Sequence, residues 1–316
     1  MKAVRSREGE IVTVETDRPH GDGVRVRMAS AGVCGSDLHM HDLGLLPPDV
    51  TIGHEVAGFL ADGRAVAVEP ITGCGVCPQC LEGRHNICKS AGAGVLGFGR
   101  NGGMAEEVLV DASQIVPLAS GLDVTTASLV EPLGVAVHAL RMVDARPPQR
   151  ILVIGAGPIG LCALAVARHV GLECAIVTRH DAQQRAAEML GASPATDEPY
   201  DLVIEAAGSK SALADAVARC RRGGTVVLLG MYWGTIEAPG IAVCLREISI
   251  VPAAMYGVGP TGRDIDAAAA VLATHPVIAD ALITHRFPLD ASAEAFAAAA
   301  DRVGGAIKVV FSAEAT

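Results

Sequence analysis

Gly32-Val33-Cys34-Gly35-Ser36-Asp37-Leu38-His39 brings a thiol, a hydroxyl and an imidazole together within eight residues. As thiolate, Cys34 can hold a metal; Ser36 and His39 can carry a proton away from whatever that metal activates. Further on, Gly53-His54-Glu55 offers a second imidazole and a carboxylate. A Cys, a His and nearby carboxylates form a borderline-soft donor set that suits zinc with an exchangeable position. Glu131 is a candidate third ligand. It lies in Glu131-Pro132-Leu133-Gly134, inside an otherwise apolar stretch (127–143) whose pattern predicts a helix started by Asp123 or Thr125. A lone carboxylate on an apolar helix is costly to bury unless it is paired or metal-bound. The alternative is a solvated face. His138, on the same stretch, reads as a packing residue.

A second set of donors has a different purpose. Cys74, Cys77, Cys80 and Cys88 carry the spacing of one tetrahedral S4 zinc site. Four sulfurs leave no open position, so the role is to brace a lobe with little core of its own. A ribbon that reads nucleic acid is the rival. It is weakened by the few basic residues nearby, Arg84 and Lys89, and by a net charge of −10. The remaining cysteines, Cys162, Cys174, Cys220 and Cys244, are scattered singly in apolar surroundings and read as small core residues.

The third motif is Gly155-Ala156-Gly157-Pro158-Ile159-Gly160, preceded by the apolar run Ile151-Leu152-Val153-Ile154 and followed by a helical pattern to about His169. In that context the spacing is a dinucleotide fingerprint: a tight turn at Gly155, close approach of pyrophosphate at Gly157, and helix–strand packing at Gly160. Pro158 and Ile159 open the helix, whose N-terminus faces the phosphates. The second strand ends in Ala175-Ile176-Val177 and is followed by Thr178-Arg179-His180, with no acid at its tip to hold a ribose 2′-hydroxyl. Arg179 can pair with a 2′-phosphate, and Thr178 or His180 can add donors, which favours NADP over NAD. Asp181, one residue on, keeps NAD open.

The elements that must position these groups fall into three stretches. Residues 1–122 alternate apolar and polar with Gly and Pro turns, and predict a mostly β domain that carries the cysteine lobe at 74–88. Residues 123–284 alternate strand and helix signals: strands at 174–178, 201–205, 225–230 and 248–252, and helices at 182–190, 211–221 and 264–273. These predict a doubly wound parallel sheet. Residues 285–316 return to a β pattern and are expected to rejoin the first domain. The chain of 316 residues accommodates two cores, built from Ala, Val, Leu and Ile because only 3% of residues are aromatic. An acidic balance and no basic block argue against a nucleic acid or an anionic membrane as partner, and Met1-Lys2-Ala3-Val4-Arg5 lacks the apolar run expected of a signal peptide. Nine cysteines with one tight cluster point to metal ligation in a reducing, cytoplasmic setting.

Taken together, the Gly32–His39 motif, Gly53-His54-Glu55, the four-cysteine lobe, Glu131-Pro132-Leu133 and the glycine fingerprint occur in one order. In that order the chain resembles the zinc-dependent medium-chain alcohol dehydrogenases, nearest the polyol and secondary-alcohol branch. The resemblance spans nearly the whole chain. It implies an α/β fold: a GroES-like, mostly β catalytic domain with an inserted doubly wound Rossmann domain. It also implies a catalytic zinc on Cys34, His54 and Glu131, with Glu55 as a neighbouring partner or exchanging ligand, a structural zinc on the cysteine lobe, and a proton relay through Ser36 and His39. The implied activity is hydride transfer between a secondary alcohol or polyol, or the matching carbonyl, and a nicotinamide nucleotide, in a homodimer or homotetramer. An aldehyde or ketone reductase using the same residues is the enzyme alternative; a nucleotide-binding scaffold is the non-enzyme one. Two departures touch the substrate pocket: a single Asp62-Gly63 turn between Gly58 and Val66, and a brief stretch before Gly53.

Overall fold

The computed structural model describes residues 1–313. They divide into two compact units, Met1–Glu131 together with the described residues from Gly257 on, and Pro132–Tyr256. The expected divisions lay at 122/123 and 284/285. The 3-10 turn Val124–Leu129 belongs with the first unit because buried Ser30 grips it: Ser30 Oγ donates to Val124 O (2.9 Å) and accepts from Ser128 N (3.3 Å). The helix Asp264–Thr274, expected in the doubly wound part, also falls in the first unit. Arg263, at its start, donates to the carbonyls of Ser113 (2.7 Å) and Ile115 (2.9 Å).

The first unit is built on a seven-stranded sheet. Its order is Ile283–Phe287, Lys308–Ser312, Val24–Gly32, Glu55–Phe59, Ala65–Val68, Ile115–Pro117, with Glu107–Val110 pairing the start of Val24–Gly32. Lys308–Ser312, from the end of the chain, runs antiparallel to Val24–Gly32 within this sheet. Alternation buries one set of side chains, Val26, Val56, Val66, Val68, Val108 and Val110, as one apolar layer. A second layer gathers Val4, Met28, Val33, Ile52, Met104, Phe296 and Phe311. Asp62-Gly63 makes the expected tight turn, with Asp62 Oδ1 accepting from Arg64 N (3.1 Å) and Gly63 at φ +85°.

The second unit is a five-stranded, wholly parallel sheet in the order Ser249–Pro252, Cys220–Leu228, Tyr200–Glu205, Arg150–Ile154, Glu173–Val177. Successive strands leave Arg150–Ile154 in opposite directions, so the order reverses beside it; this is the switch point where parallel α/β sheets hold ligands. Helices Pro158–His169, Asp181–Met189 and Lys210–Arg219 are its crossovers. Leu152, Val203, Leu213, Val217, Val226 and Leu228 form part of its dry core. Among the described residues, no helix is long and apolar enough to cross a membrane.

Candidate metal and nucleotide sites

Strand Val24–Gly32 ends where Cys34 begins the turn into the helix Gly35–Asp42. The helix is not evident from apolar spacing, because Ser36, Asp37, His39 and His41 occupy most of it. Its start is fixed by Asp37, whose Oδ2 accepts from Cys34 N at 2.9 Å. One turn apart, Ser36 and His39 share a face, with His39 exposed. The neighbouring strand Glu55–Phe59 delivers His54 and Glu55 to the same place through the register Gly32↔Glu55.

The donor atoms of Cys34, His54 and Glu55 all lie within 4.8 Å of one another, and His54 and Glu55 are buried. Glu131 is not part of that trio; it is buried on the first turn of the α-helix Val130–Met142, which follows the 3-10 turn where one longer helix over 127–143 was expected. Ser36 Oγ is 3.5 Å from His54 Nε2, and Asp37 Oδ1 is 3.5 Å from His54 Nδ1. Asp37 thus faces one ring nitrogen while Ser36 faces the other, the arrangement by which an outer carboxylate orients a ligating imidazole.

Electrostatics test whether a cation fits here. Burial works against a charged imidazole, yet Asp37 and the Cys34 thiol outweigh it and hold the His54 pKa well above 6.5. The pocket therefore draws positive charge. Asp37 Oδ1 and His54 Nδ1 face each other across 3.5 Å, which leaves Nε2, on the Ser36 side, as the ring nitrogen that can meet a cation. A borderline-soft cation fits this set. Glu55 differs from its neighbours. Both its oxygens accept from Lys308 Nζ, at 2.7 and 2.8 Å, and Lys308 also donates to Val33 O at 3.0 Å. Gly32 is required beside this pair, because a Cβ there would fall on Glu55 Oε2.

The four cysteines of the lobe also converge, with their sulfurs within 4.8 Å of one another. The N–H groups of Cys74 and Ser90 both point at Cys88 Sγ, each at 3.4 Å, and bring its pKa down from 9.0 to about 6. Burial pushes the Cys80 thiol up to about 11. Backbone donors aimed at a sulfur stabilise thiolate, which is the form a metal binds. The lobe is tied to the sheet by a contact not legible from spacing: buried Glu69 accepts from His85 (2.7 Å) and Arg263 (3.1 Å).

In the second unit the glycine fingerprint occupies the turn between Arg150–Ile154 and Pro158–His169. Gly155 sits at φ +105°, and a Cβ on Gly160 would fall on the Gly155 carbonyl oxygen. A Cβ on Gly157 would meet nothing within 4 Å. Two of the glycines thus serve the fold, and the third faces open space at the helix N-terminus, with Pro158 in the first turn and Ile159 after it. At the tip of Glu173–Val177, Thr178 Oγ1 donates to Gln184 Oε1 (2.8 Å) and Arg179 N donates to Gln183 Oε1 (3.0 Å). The Arg179 side chain is exposed; His180 occupies the N-cap position of the next helix without a side-chain capping bond.

Two family models match successive parts of the chain. The alcohol dehydrogenase GroES-like domain matches residues 20–120, and the glucose dehydrogenase C-terminus matches residues 124–311. The L-galactonate-5-dehydrogenase of Escherichia coli K12 is 30% identical over 308 residues, 88% of each chain. A structure described as a zinc-binding dehydrogenase from Sinorhizobium meliloti 1021, bound to NADP, superposes with a TM-score of 0.87 at 28% identity over 99% of both chains. A structure described as a short chain alcohol dehydrogenase from Escherichia coli CFT073, complexed with NADH, gives 0.87 at 26% identity, also over 99% of both. The fold, the order of motifs and these relatives agree, and the chain is a member of the zinc-dependent medium-chain alcohol dehydrogenase family, an oxidoreductase.

Proposed function

We propose that this enzyme transfers a hydride between a secondary alcohol of a polyhydroxylated substrate, or the matching carbonyl, and NADP. The observation that carries this reading is the convergence of Cys34, His54 and Glu55 beside Ser36. The chemistry a zinc ion supplies at such donors is Lewis-acid polarisation of the substrate oxygen. Cys34 and His54 would hold it, with Glu131 as the carboxylate ligand that the family resemblance implies and Glu55, whose oxygens both accept from Lys308, as a neighbouring partner or exchanging ligand. Asp37 keeps the His54 ring in its ligating orientation. Ser36 is the group placed to accept the substrate's hydroxyl proton, and His39, exposed one turn on, passes it to solvent. Oxidation and reduction use the same residues, so the reductase reading differs only in physiological direction.

The pyrophosphate of the nucleotide is read onto the N-terminus of Pro158–His169, where Gly157 leaves the backbone open. Exposed Arg179, with Thr178 and His180, supports NADP through the 2′-phosphate. The two donor clusters support two zinc ions per chain. Ser249–Pro252, the outer strand of the parallel sheet, offers a second copy a pairing edge, which supports a homodimer or homotetramer. Nine unpaired thiols support a reducing, cytoplasmic compartment.

A parallel fluorescence titration with NADPH and NADH tests the cofactor reading without knowledge of the substrate. Tighter NADPH binding that is lost in Arg179→Ala is expected. Tighter NADH binding, unchanged in Arg179→Ala, would assign the ribose to Thr178 or Asp181 instead.

A further inference from the structure

Glu205 is a fully buried carboxylate that the chemistry above does not use. It ends the strand Tyr200–Glu205 and lies opposite Ile154 in the parallel register, one residue before the first glycine of the fingerprint. Its two oxygens are divided between two loops. Oε1 accepts from the backbone N–H of Ala207 (2.8 Å) and of Gly208 (2.9 Å); Oε2 accepts from the hydroxyl of Tyr232 (2.8 Å). Its own carbonyl accepts from the N–H groups of Leu229 and Gly230, each at 2.8 Å.

These loops press directly on the turn that carries the fingerprint. Ala206 N donates to Ile154 O at 2.9 Å. A Cβ on Gly155 would lie 2.9 Å from Ala207 N and 3.1 Å from Ala206 C. On the other side, a Cβ on Gly208 would come within 2.5 Å of Met231 O, and one on Gly230 within 2.8 Å of Glu205 Oε2. The ends of three adjacent strands are thus packed backbone on backbone, and one carboxylate holds two of their loops against the third. Burying that carboxylate is costly unless every lone pair in use has a donor. Here each oxygen has at least one.

We propose that Glu205 is a positioning residue for the nicotinamide nucleotide: by tying Ala207, Gly208 and Tyr232 together it holds the wall against which Gly155 and the phosphate cradle are set. This rests on the dinucleotide reading of Gly155–Gly160. Burial, and then the hydrogen bond and charge of Glu205, push the Tyr232 phenol above its usual range, so it stays a hydrogen-bond donor through the working pH.

The test is nucleotide affinity, measured by fluorescence titration of the full chain with NADPH and NADH, with no substrate present. Glu205→Ala is expected to weaken the better-bound nucleotide by roughly ten- to a hundredfold, the range for loss of a charged acceptor. Glu205→Gln keeps an oxygen for the two N–H groups and is expected to recover affinity to within a few-fold. Tyr232→Phe deletes only the hydroxyl and is expected to cost roughly threefold to tenfold. In turnover, the nucleotide KM rises while kcat changes less. If Glu205→Ala loses thermal stability yet binds at wild-type affinity, the carboxylate only braces the fold and the proposal is overturned. If Glu205→Ala does not fold, wild-type affinity in Tyr232→Phe overturns it. A wild-type chain that binds neither nucleotide removes the dinucleotide reading and this proposal with it; that outcome is distinct from equal binding by wild type and variant.

Discussion

The Lys308 ammonium lies 2.7 and 2.8 Å from the two carboxylate oxygens of Glu55, and each of these side chains is 1% exposed. Two opposite charges are therefore buried together beside Cys34 and His54. Removing one partner leaves the other buried without compensation, a loss of about 3–5 kcal/mol. Lys308→Ala is expected to lower the denaturant midpoint of the first unit by a corresponding amount and to reduce zinc content. Wild-type stability in this variant would mean that Glu55 finds another partner or a proton.

Gly155, Gly157 and Gly160 separate fold from function. Gly155→Ala and Gly160→Ala place a Cβ on backbone atoms, and both are expected to lower thermal stability before any nucleotide is added. Gly157→Ala meets open space and is expected to melt like wild type while binding nucleotide at least tenfold more weakly. Differential scanning fluorimetry with and without NADPH distinguishes the two effects.

The cysteine lobe is expected to lose one equivalent of zinc in Cys74→Ser, with the second equivalent retained at Cys34 and His54. Elemental analysis of the purified variant measures this directly. Because the lobe has little core of its own, the variant is also expected to be cut by protease within 74–88.

Acid should release that zinc. The Cys88 thiol is depressed from 9.0 to about 6. Its thiolate therefore contributes to the folded lobe fully above pH 9.0, and the contribution is lost as pH falls through about 6. Protons and metal compete for the same sulfurs. Zinc retained on dialysis at about pH 7.5 and lost near pH 5 is the expected outcome. Full retention at the lower pH would mean that the metal outcompetes protons for these sulfurs there, and that the metal-free thiol pKa does not set the release.

What was legible in the sequence was what depends on short spacing. Cys74, Cys77, Cys80 and Cys88, and the glycine fingerprint, each declare themselves within a dozen or so residues, because one turn geometry must present all their donors. The contacts that complete the sites are long-range. Glu55 and Lys308 are 253 residues apart, and Glu69 meets Arg263 across 194. No periodicity marks such pairs. Helix Gly35–Asp42 was missed because its polar residues show no apolar stripe. Helix Asp264–Thr274 is legible as a helix, but its Ala-rich face suits either core, and the alternating pattern puts it with the doubly wound part whereas it falls in the first unit. Glu205 stands in an ordinary apolar strand, Asp201-Leu202-Val203-Ile204-Glu205, and only the convergence of three loops gives its carboxylate a task.

The most direct test follows the appearance of reduced nicotinamide when the zinc-loaded enzyme is given NADP and a panel of polyols and secondary alcohols, beside Cys34→Ala. The account predicts turnover by wild type, none by the variant, and the same nucleotide affinity in both, since Cys34 and the glycine fingerprint belong to different units. Undiminished turnover by a metal-free Cys34→Ala protein would contradict it.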